Sequence, residues 1–258
     1  MIRESNHYKL LAIVLVIIPV FAAVVHAQSR PDLSTVVDRI DKLFRAQTSY
    51  AVMEMEITTP HWSRPLKMKA WTEGMDKMLI RILKPQKERG IGTLRIGNQM
   101  WNYLPQTNKV IKIPPSMMMG SWMGSDFNNN DLVKEFTFTE DYNFQYTSVD
   151  DPRPDTLYIK CIPKPGKPIV WGYVVIAVDR ATLIPEWEKF YDEKEKLMRV
   201  MNFRDVKTFD GRKIPSVMEL IPMNKEGHST TLRYIEAKFN LPVEDSVFSL
   251  RNLRSFRE

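Results

Sequence analysis

Ala51-Val52-Met53-Glu54-Met55-Glu56-Ile57-Thr58 is the stretch from which the fold is read. Ala51, Met53, Met55 and Ile57 share one parity; Val52, Glu54, Glu56 and Thr58 share the other. Successive side chains of a strand point to opposite faces, so a period of two marks a strand with one face buried and one in water. The pattern returns after His61-Trp62-Ser63-Arg64-Pro65, where Leu66, Met68 and Ala70 alternate with Lys67, Lys69 and Trp71. It returns again after Glu73-Gly74, where Met78, Ile80 and Ile82 oppose Lys77, Leu79 and Arg81. Three such runs with short joints predict an antiparallel meander whose buried face is rich in methionine and whose other face is mostly charged.

Upstream of the meander the period changes. Leu33, Val36, Val37, Ile40, Leu43 and Phe44 recur at spacings of three and four, with Asp38, Arg39, Asp41 and Lys42 between them. This predicts an amphipathic helix capped by Asp32 or Ser34 and ending near Gln47. A helix this short must lay its apolar stripe on a sheet. Further upstream, Arg3 and Lys9 flank a short basic region, Leu10–Val25 is almost unbroken apolar sequence, and Val25-His26-Ala27 offers small residues for cleavage before Gln28. Residues 1–27 therefore read as a cleaved signal peptide, with an uncleaved anchor as the alternative.

Downstream, short strands are expected at Ile91–Ile96, Met100–Leu104 and Lys109–Ile113, then at Thr156–Ile162, Trp171–Val178, Pro185–Tyr191, Lys196–Phe203, Lys213–Pro222 and His228–Phe239. Gly97-Asn98 and Asp210-Gly211 are hairpin signals. Phe136–Pro154 mixes aromatic and acidic residues and reads without a clear element. About eleven or twelve strands and no alternation of strand with helix predict a mainly β (α+β) fold: an incomplete, strongly curled antiparallel barrel with helices covering its open side. Residues 28–258 read as one domain, with no linker or repeat.

Pro114–Glu135 interrupts the strands. It holds Met117, Met118, Met119 and Met123 with Trp122 and Phe127, broken by Gly120 and Gly124. A regular element cannot bury such a set along one face. Either it is a lid over an apolar ligand, for which adaptable methionine suits variable shapes, or it caps the protein's own core. A second short helix is expected from Asn130 to Glu135, capped by Asn128, Asn129 or Asn130.

Composition excludes several chemistries. The formal net charge is +6 and the chain has one cysteine, Cys161, so no internal disulfide is possible. His7 and His26 lie in the leader, leaving His61 and His228 beside turns, too few for a zinc site or a Cys-His pair. Asp126-x-Asn128-x-Asn130 opens like a calcium loop, but Asp131 stands where glycine is needed and Thr137 where a glutamate is needed. The methionine cluster suits copper(I) by softness, yet consecutive residues diverge. The carboxylate pairs Glu140-Asp141 and Asp150-Asp151 diverge likewise and have no evident nucleophile, and no nucleophile elbow is present. No catalytic residue, metal or cofactor is expected, and the mild basicity reads as a solvated surface rather than a nucleic-acid site.

Gly97-Asn98-Gln99-Met100-Trp101-Asn102-Tyr103-Leu104-Pro105, the phrase Met119–Leu132 and the closing Leu241–Phe248 resemble the outer-membrane lipoprotein-sorting protein family. Gly124-Ser125-Asp126-Phe127-x-Asn129-x-Asp131-Leu132 is similar to an uncharacterised branch of that LolA-like superfamily, and the resemblance spans residues 32–253. It implies a half-barrel whose hollow holds acyl chains of a lipoprotein or lipid crossing the periplasm, taken from an inner-membrane transporter and given to an outer-membrane acceptor. Alternation and the loop together nominate an apolar lining and lid: Met53, Met55, Ile57, Met68, Met78, Ile80, Ile82, Met117, Met118, Met119, Trp122, Met123 and Phe127. The expectation is a monomeric, non-enzymatic periplasmic carrier; the alternative is a sensor or adaptor that uses the half-barrel for protein contact without lipid.

Overall fold

The alternating run lies within an eleven-residue strand, β1 (Thr48–Thr58), that sits at the centre of the sheet. The structure, a computed structural model, describes residues 30–134, 138–167 and 169–255. Residues 1–27, expected to be a leader, Gln28, and Glu135, Phe136 and Thr137 fall outside the described residues.

The first meander continues as β2 (Ser63–Glu73), β3 (Lys77–Lys84), β4 (Gly92–Ile96), β5 (Gln99–Leu104) and β6 (Lys109–Lys112). The second comprises β7 (Tyr142–Tyr146), β8 (Thr156–Pro163), β9 (Tyr173–Asp179), β10 (Pro185–Tyr191), β11 (Leu197–Phe209), β12 (Arg212–Pro222) and β13 (Ser229–Phe239). They form one antiparallel sheet of thirteen strands in the order β6-β5-β4-β3-β2-β1-β13-β12-β11-β10-β9-β8-β7. The first and last strands pair in the middle, joining the two meanders. The register shifts between Val52 and Met53, Lys67 and Met68, Pro185 and Trp187, and Phe190 and Tyr191. Such irregularities bend a strand and raise its twist, which curls a long sheet. The edges β6 and β7 do not pair with each other, so the sheet stays open as expected.

Thirteen strands exceed the expected count chiefly because of β7. Tyr142, Phe144 and Tyr146 alternate in the segment that read as irregular, and Phe144 pairs with Cys161 of β8. The first helix, α1 (Leu33–Asp41), is capped by Asp32, which accepts from the Thr35 amide. It ends six residues before Gln47. Its last residue, Asp41, expected on an exposed face, is buried: its carboxylate accepts from the Phe138 and Thr139 amides at 3.0 and 2.9 Å and from the Thr139 hydroxyl at 2.6 Å. The end of α1 thus caps the short helix α3 (Phe138–Asp141), which the sequence did not suggest. Leu43 and Phe44 follow in a turn and still reach the core.

The inner face carries the main core. The outer face is not uniformly charged. Leu79, Leu94 and Tyr103 form a second cluster with Phe248 and Leu253, against which Trp71 and Trp101 pack. Phe248 and the helix α4 (Leu250–Arg254) cover that patch. Arg81, only 3% exposed, holds α4 down by donating from Nη1 to the Leu253 carbonyl at 2.7 Å and the Gly90 carbonyl at 3.0 Å, and from Nη2 to the Asn252 carbonyl at 2.8 Å. Carbonyls in the last turn of a helix run short of amide donors; Asn252 keeps the Ser255 amide at 3.1 Å, and the buried cation serves it and Leu253 together. Arg81→Ala is expected to lower the unfolding free energy by about 2–3 kcal/mol, measured by urea titration. A loss below about 0.5 kcal/mol would mean that α4 docks without it.

Candidate functional site

The sheet topology dictates what covers the hollow. β6 and β7 are consecutive in sequence but lie on opposite edges, so residues 113–141 must cross the open side. Their contacts follow that path. Trp122 donates from Nε1 to the Thr93 hydroxyl of β4 at 3.0 Å. The Asp126 amide donates to the Thr230 hydroxyl of β13 at 3.0 Å, and that hydroxyl donates back to Asp126 Oδ2 at 2.8 Å. Asp131, opening the helix α2 (Asp131–Lys134), receives both terminal nitrogens of Arg199 from β11, at 2.7 and 2.8 Å. Arg199 lies between the Trp171 and Phe190 rings, 4.6 and 4.2 Å from their centroids. The loop is therefore pinned at three points by polar groups. Arg64 adds a fourth tie by donating from Nη2 to the Met123 carbonyl.

Within itself the loop is braced. The Trp122 amide donates to the Phe127 carbonyl at 2.8 Å and the Asn129 amide to the Gly120 carbonyl at 3.0 Å, around a bridge between Ser121 and Asn128. Gly124 takes a left-handed φ of +72°, a conformation that a side chain disfavours and that turns the loop back on itself. The residues that began like a calcium loop have other work. Asn128 Oδ1 accepts from the Asp131 amide at 2.8 Å while Asp131 Oδ2 accepts from the Asn128 amide at 2.8 Å, a reciprocal cap on α2.

Beneath the loop lies a cavity of about 90 Å³. Its floor is organised in transverse rows, because facing residues of neighbouring strands on one side of a sheet stand abreast. Ala237, Ala51 and Ala70 form one row across β13, β1 and β2, continued by Ile80 and Thr93. Tyr234, Met53 and Met68 form the next, and Leu232 and Met55 the one after. Three alanines abreast leave the space; methionines wall it. Phe44 stacks on Tyr234 at one side, and Trp122, Phe127 and Leu132 form the roof. A second hollow of about 40 Å³ lies over β10 and β11, lined by Phe138, Tyr142, Trp171, Glu188, Phe190, Arg199 and Met201. Phe127 lines both, so its ring is the partition.

Of the residues nominated from the sequence, Met53, Met55, Met68, Met78, Ile80, Trp122 and Phe127 face this cavity. Ile57 and Ile82 are buried in the same core but do not line it. In the loop, Met118 and Met123 are half-buried against the core, whereas Met117 and Met119 are 55% and 46% exposed. Trp122 and Phe127 rather than the methionines therefore form the plug, because aromatic rings fill a fixed gap and the methionines flank it. The sequence reading missed Phe44, Leu232, Tyr234, Ala237 and Phe239. Leu232 and Tyr234 alternate legibly, but the shift opposite Val52 and Met53 turns the inward parity to Ala237 and Phe239 and leaves Ile235 exposed.

Burial pushes the Cys161 thiol well above its usual range, so it packs as an apolar side chain and is no nucleophile. His61 is exposed and His228 half-buried near the Lys225 turn.

No curated protein matches the chain. The fold is shared with solved structures. A DUF1329 family protein from Desulfovibrio piger superposes with a TM-score of 0.76 at 23% identity, over 85% of this chain and 97% of its own. A proposed outer membrane lipoprotein-sorting protein domain from Vibrio parahaemolyticus gives 0.71 at 22%, over 86% and 98%. A LolA superfamily protein from Nitrosomonas europaea gives 0.69 at 18%, over 84% and 97%. A family model described as "Uncharacterized protein" matches residues 74–255, well over half of the chain. The chain belongs to that uncharacterized-protein family and has the fold of the LolA superfamily lipoprotein-sorting domains.

Proposed function

We propose that the protein is a monomeric, non-enzymatic periplasmic carrier. It shields an acyl chain of a lipoprotein or lipid in the methionine-walled hollow and moves it from an inner-membrane transporter to an outer-membrane acceptor. The observation that carries this reading is the pairing of an apolar cavity with a roof that crosses the open side of the sheet and is tied down by a handful of polar contacts. The fold supports it, since the Vibrio parahaemolyticus domain is described as lipoprotein-sorting.

The dimensions set the mechanism. A cavity of about 90 Å³ is small beside small-ligand pockets, which run to several hundred Å³. A long acyl chain enters only if the roof withdraws. Lifting Trp122 and Phe127 would enlarge the alanine-floored space and, by removing the partition, join it to the second hollow. Each methylene buried is worth about 0.8 kcal/mol, so a long chain supplies on the order of 10 kcal/mol before ordering costs. That is enough to hold the roof open and too much for fast unaided release, which is why a donor and an acceptor are needed to bias the loop.

The small resting volume favours one second reading, a sensor or adaptor that contacts protein and keeps its hollow filled by Trp122 and Phe127. Native mass spectrometry with lipid extraction on the exported chain, purified without detergent, separates the two. A co-purifying acylated species is the expected result. A bare mass together with failure to take up added palmitoyl lipid assigns the adaptor role.

A further inference from the structure

One end of the apolar cavity is polar and buried. Ser49 of β1 and Thr72 of β2 are directly opposed across the two strands and both line the cavity. Ser49 is 6% exposed, and neither its hydroxyl oxygen nor that of Thr72 has a hydrogen-bond partner among the described residues. Buried hydroxyls without partners are costly, and two abreast at one cavity end are an unusual expense in a sheet otherwise floored with alanine and methionine. Arg45, itself buried, lines the same end. The transverse row that holds Ser49 and Thr72 runs on through Met78 of β3 to Arg95 of β4. Arg95 is buried, with Nε donating to the Gly97 carbonyl at 2.9 Å. Burial first, and then the Arg45 guanidinium, lower Arg95 to about 10, with Asp76 acting the other way, so Arg95 remains cationic at neutral pH. Arg45 at the cavity wall, with Arg95 behind Met78 in the same row, puts basic side chains and two hydroxyls at one end of a greasy slot.

We propose that this polar end seats an oxyanion, a carboxylate or a phosphate, carried at the end of a single alkyl chain that runs along the alanine row into the methionine rows. Ser49 and Thr72 donate to the oxyanion, and Arg45 and Arg95 supply the charge that compensates its removal from water. This inference rests on the acyl-carrier reading and narrows its cargo. A chain that ends in nothing but an ester or amide carbonyl brings no charge to the seat, so the slot prefers a chain whose head is ionised.

The test compares palmitate, palmitoyl lysophosphatidic acid and methyl palmitate by titration calorimetry, with Ser49→Ala/Thr72→Val beside the wild type. The double variant keeps side-chain volume nearly constant and removes two buried hydroxyls without partners, so its thermal midpoint should not fall. At least one anion is expected to bind the wild type tenfold or more tightly than methyl palmitate, and the tighter anion names the head as carboxylate or phosphate. The double variant is expected to lose that preference, weakening the anion about tenfold and leaving the ester unchanged. Equal binding of acid and ester, or a double variant that keeps the full preference, overturns the oxyanion seat while the acyl-carrier reading stands. Failure of all three probes to bind overturns both.

Discussion

Arg199→Met is expected to lower the unfolding free energy by about 3–5 kcal/mol, because it leaves the buried Asp131 carboxylate without its bidentate partner. For a domain of this size that is a fall on the order of 10 °C in Tm. The pair itself is not expected to be worth so much. Taking two charges out of water offsets most of their attraction, and an apolar pair of similar volume is often as stable. Asp131→Leu combined with Arg199→Met should therefore recover much of the loss, since Trp171 and Phe190 already offer an apolar slot to the new side chain. The functional effect should not recover. Both variants remove the tie between α2 and β11, so each should release a bound acyl lipid faster than wild type, read from transfer to acceptor vesicles. A double variant with wild-type stability and wild-type release would detach this ion pair from loop motion.

Trp122→Ala is the second large effect. The indole is 3% exposed, fills the cavity roof and donates to Thr93. Removing it is expected to cost about 3–5 kcal/mol through lost burial and the enlarged void. The same change takes away the roof that keeps the resting cavity near 90 Å³, so acyl occupancy after detergent-free purification should rise even as the apo protein loses stability. Added palmitoyl lipid should then restore part of the lost Tm, because a ligand that binds only the folded state stabilises it by mass action. A variant that is destabilised, takes up no lipid and gains nothing from added lipid would mean that Trp122 serves the core alone. Trp122→Phe is the control for bulk. It keeps a ring and loses the Nε1 hydrogen bond, for about 1 kcal/mol.

The candidate site was half legible in the sequence, and the dividing line is physical. Met53, Met55, Met68, Met78 and Ile80 could be placed on the inner face because alternation is a local property of extended backbone. Trp122 and Phe127 could be singled out because a loop that concentrates apolar side chains must cover something. What they cover, and that the ring of Phe127 separates two hollows, depends on which strands lie on either side of it. Met117 and Met119 were assigned to the lid by composition, but composition carries no direction, and their side chains point to solvent. The polar end of the cavity was not seen at all. Ser49 and Thr72 look like ordinary strand residues until their register places them abreast, and Arg45 precedes its strand.

The sequence by itself determined the class of the protein. Period-two runs separated by turns require an antiparallel sheet, the stripe of Leu33, Val36, Val37 and Ile40 requires a helix laid on it, and a single cysteine requires that the core rather than disulfides hold the fold. Tertiary structure alone decided the rest. Pairing of β1 with β13 put the chain's first and last strands at the centre, which sent β6 and β7 to opposite edges and obliged residues 113–141 to cross the mouth. One register shift beside Met53 turned Ala237 and Phe239 inward and aligned three alanines into a void. Asp41, placed by periodicity off the apolar stripe, is buried because it serves as acceptor for Phe138 and Thr139, nearly a hundred residues away. Periodicity records which face of an element is buried; only the pairing of distant strands records what stands beside it, and a cavity is made of such neighbours.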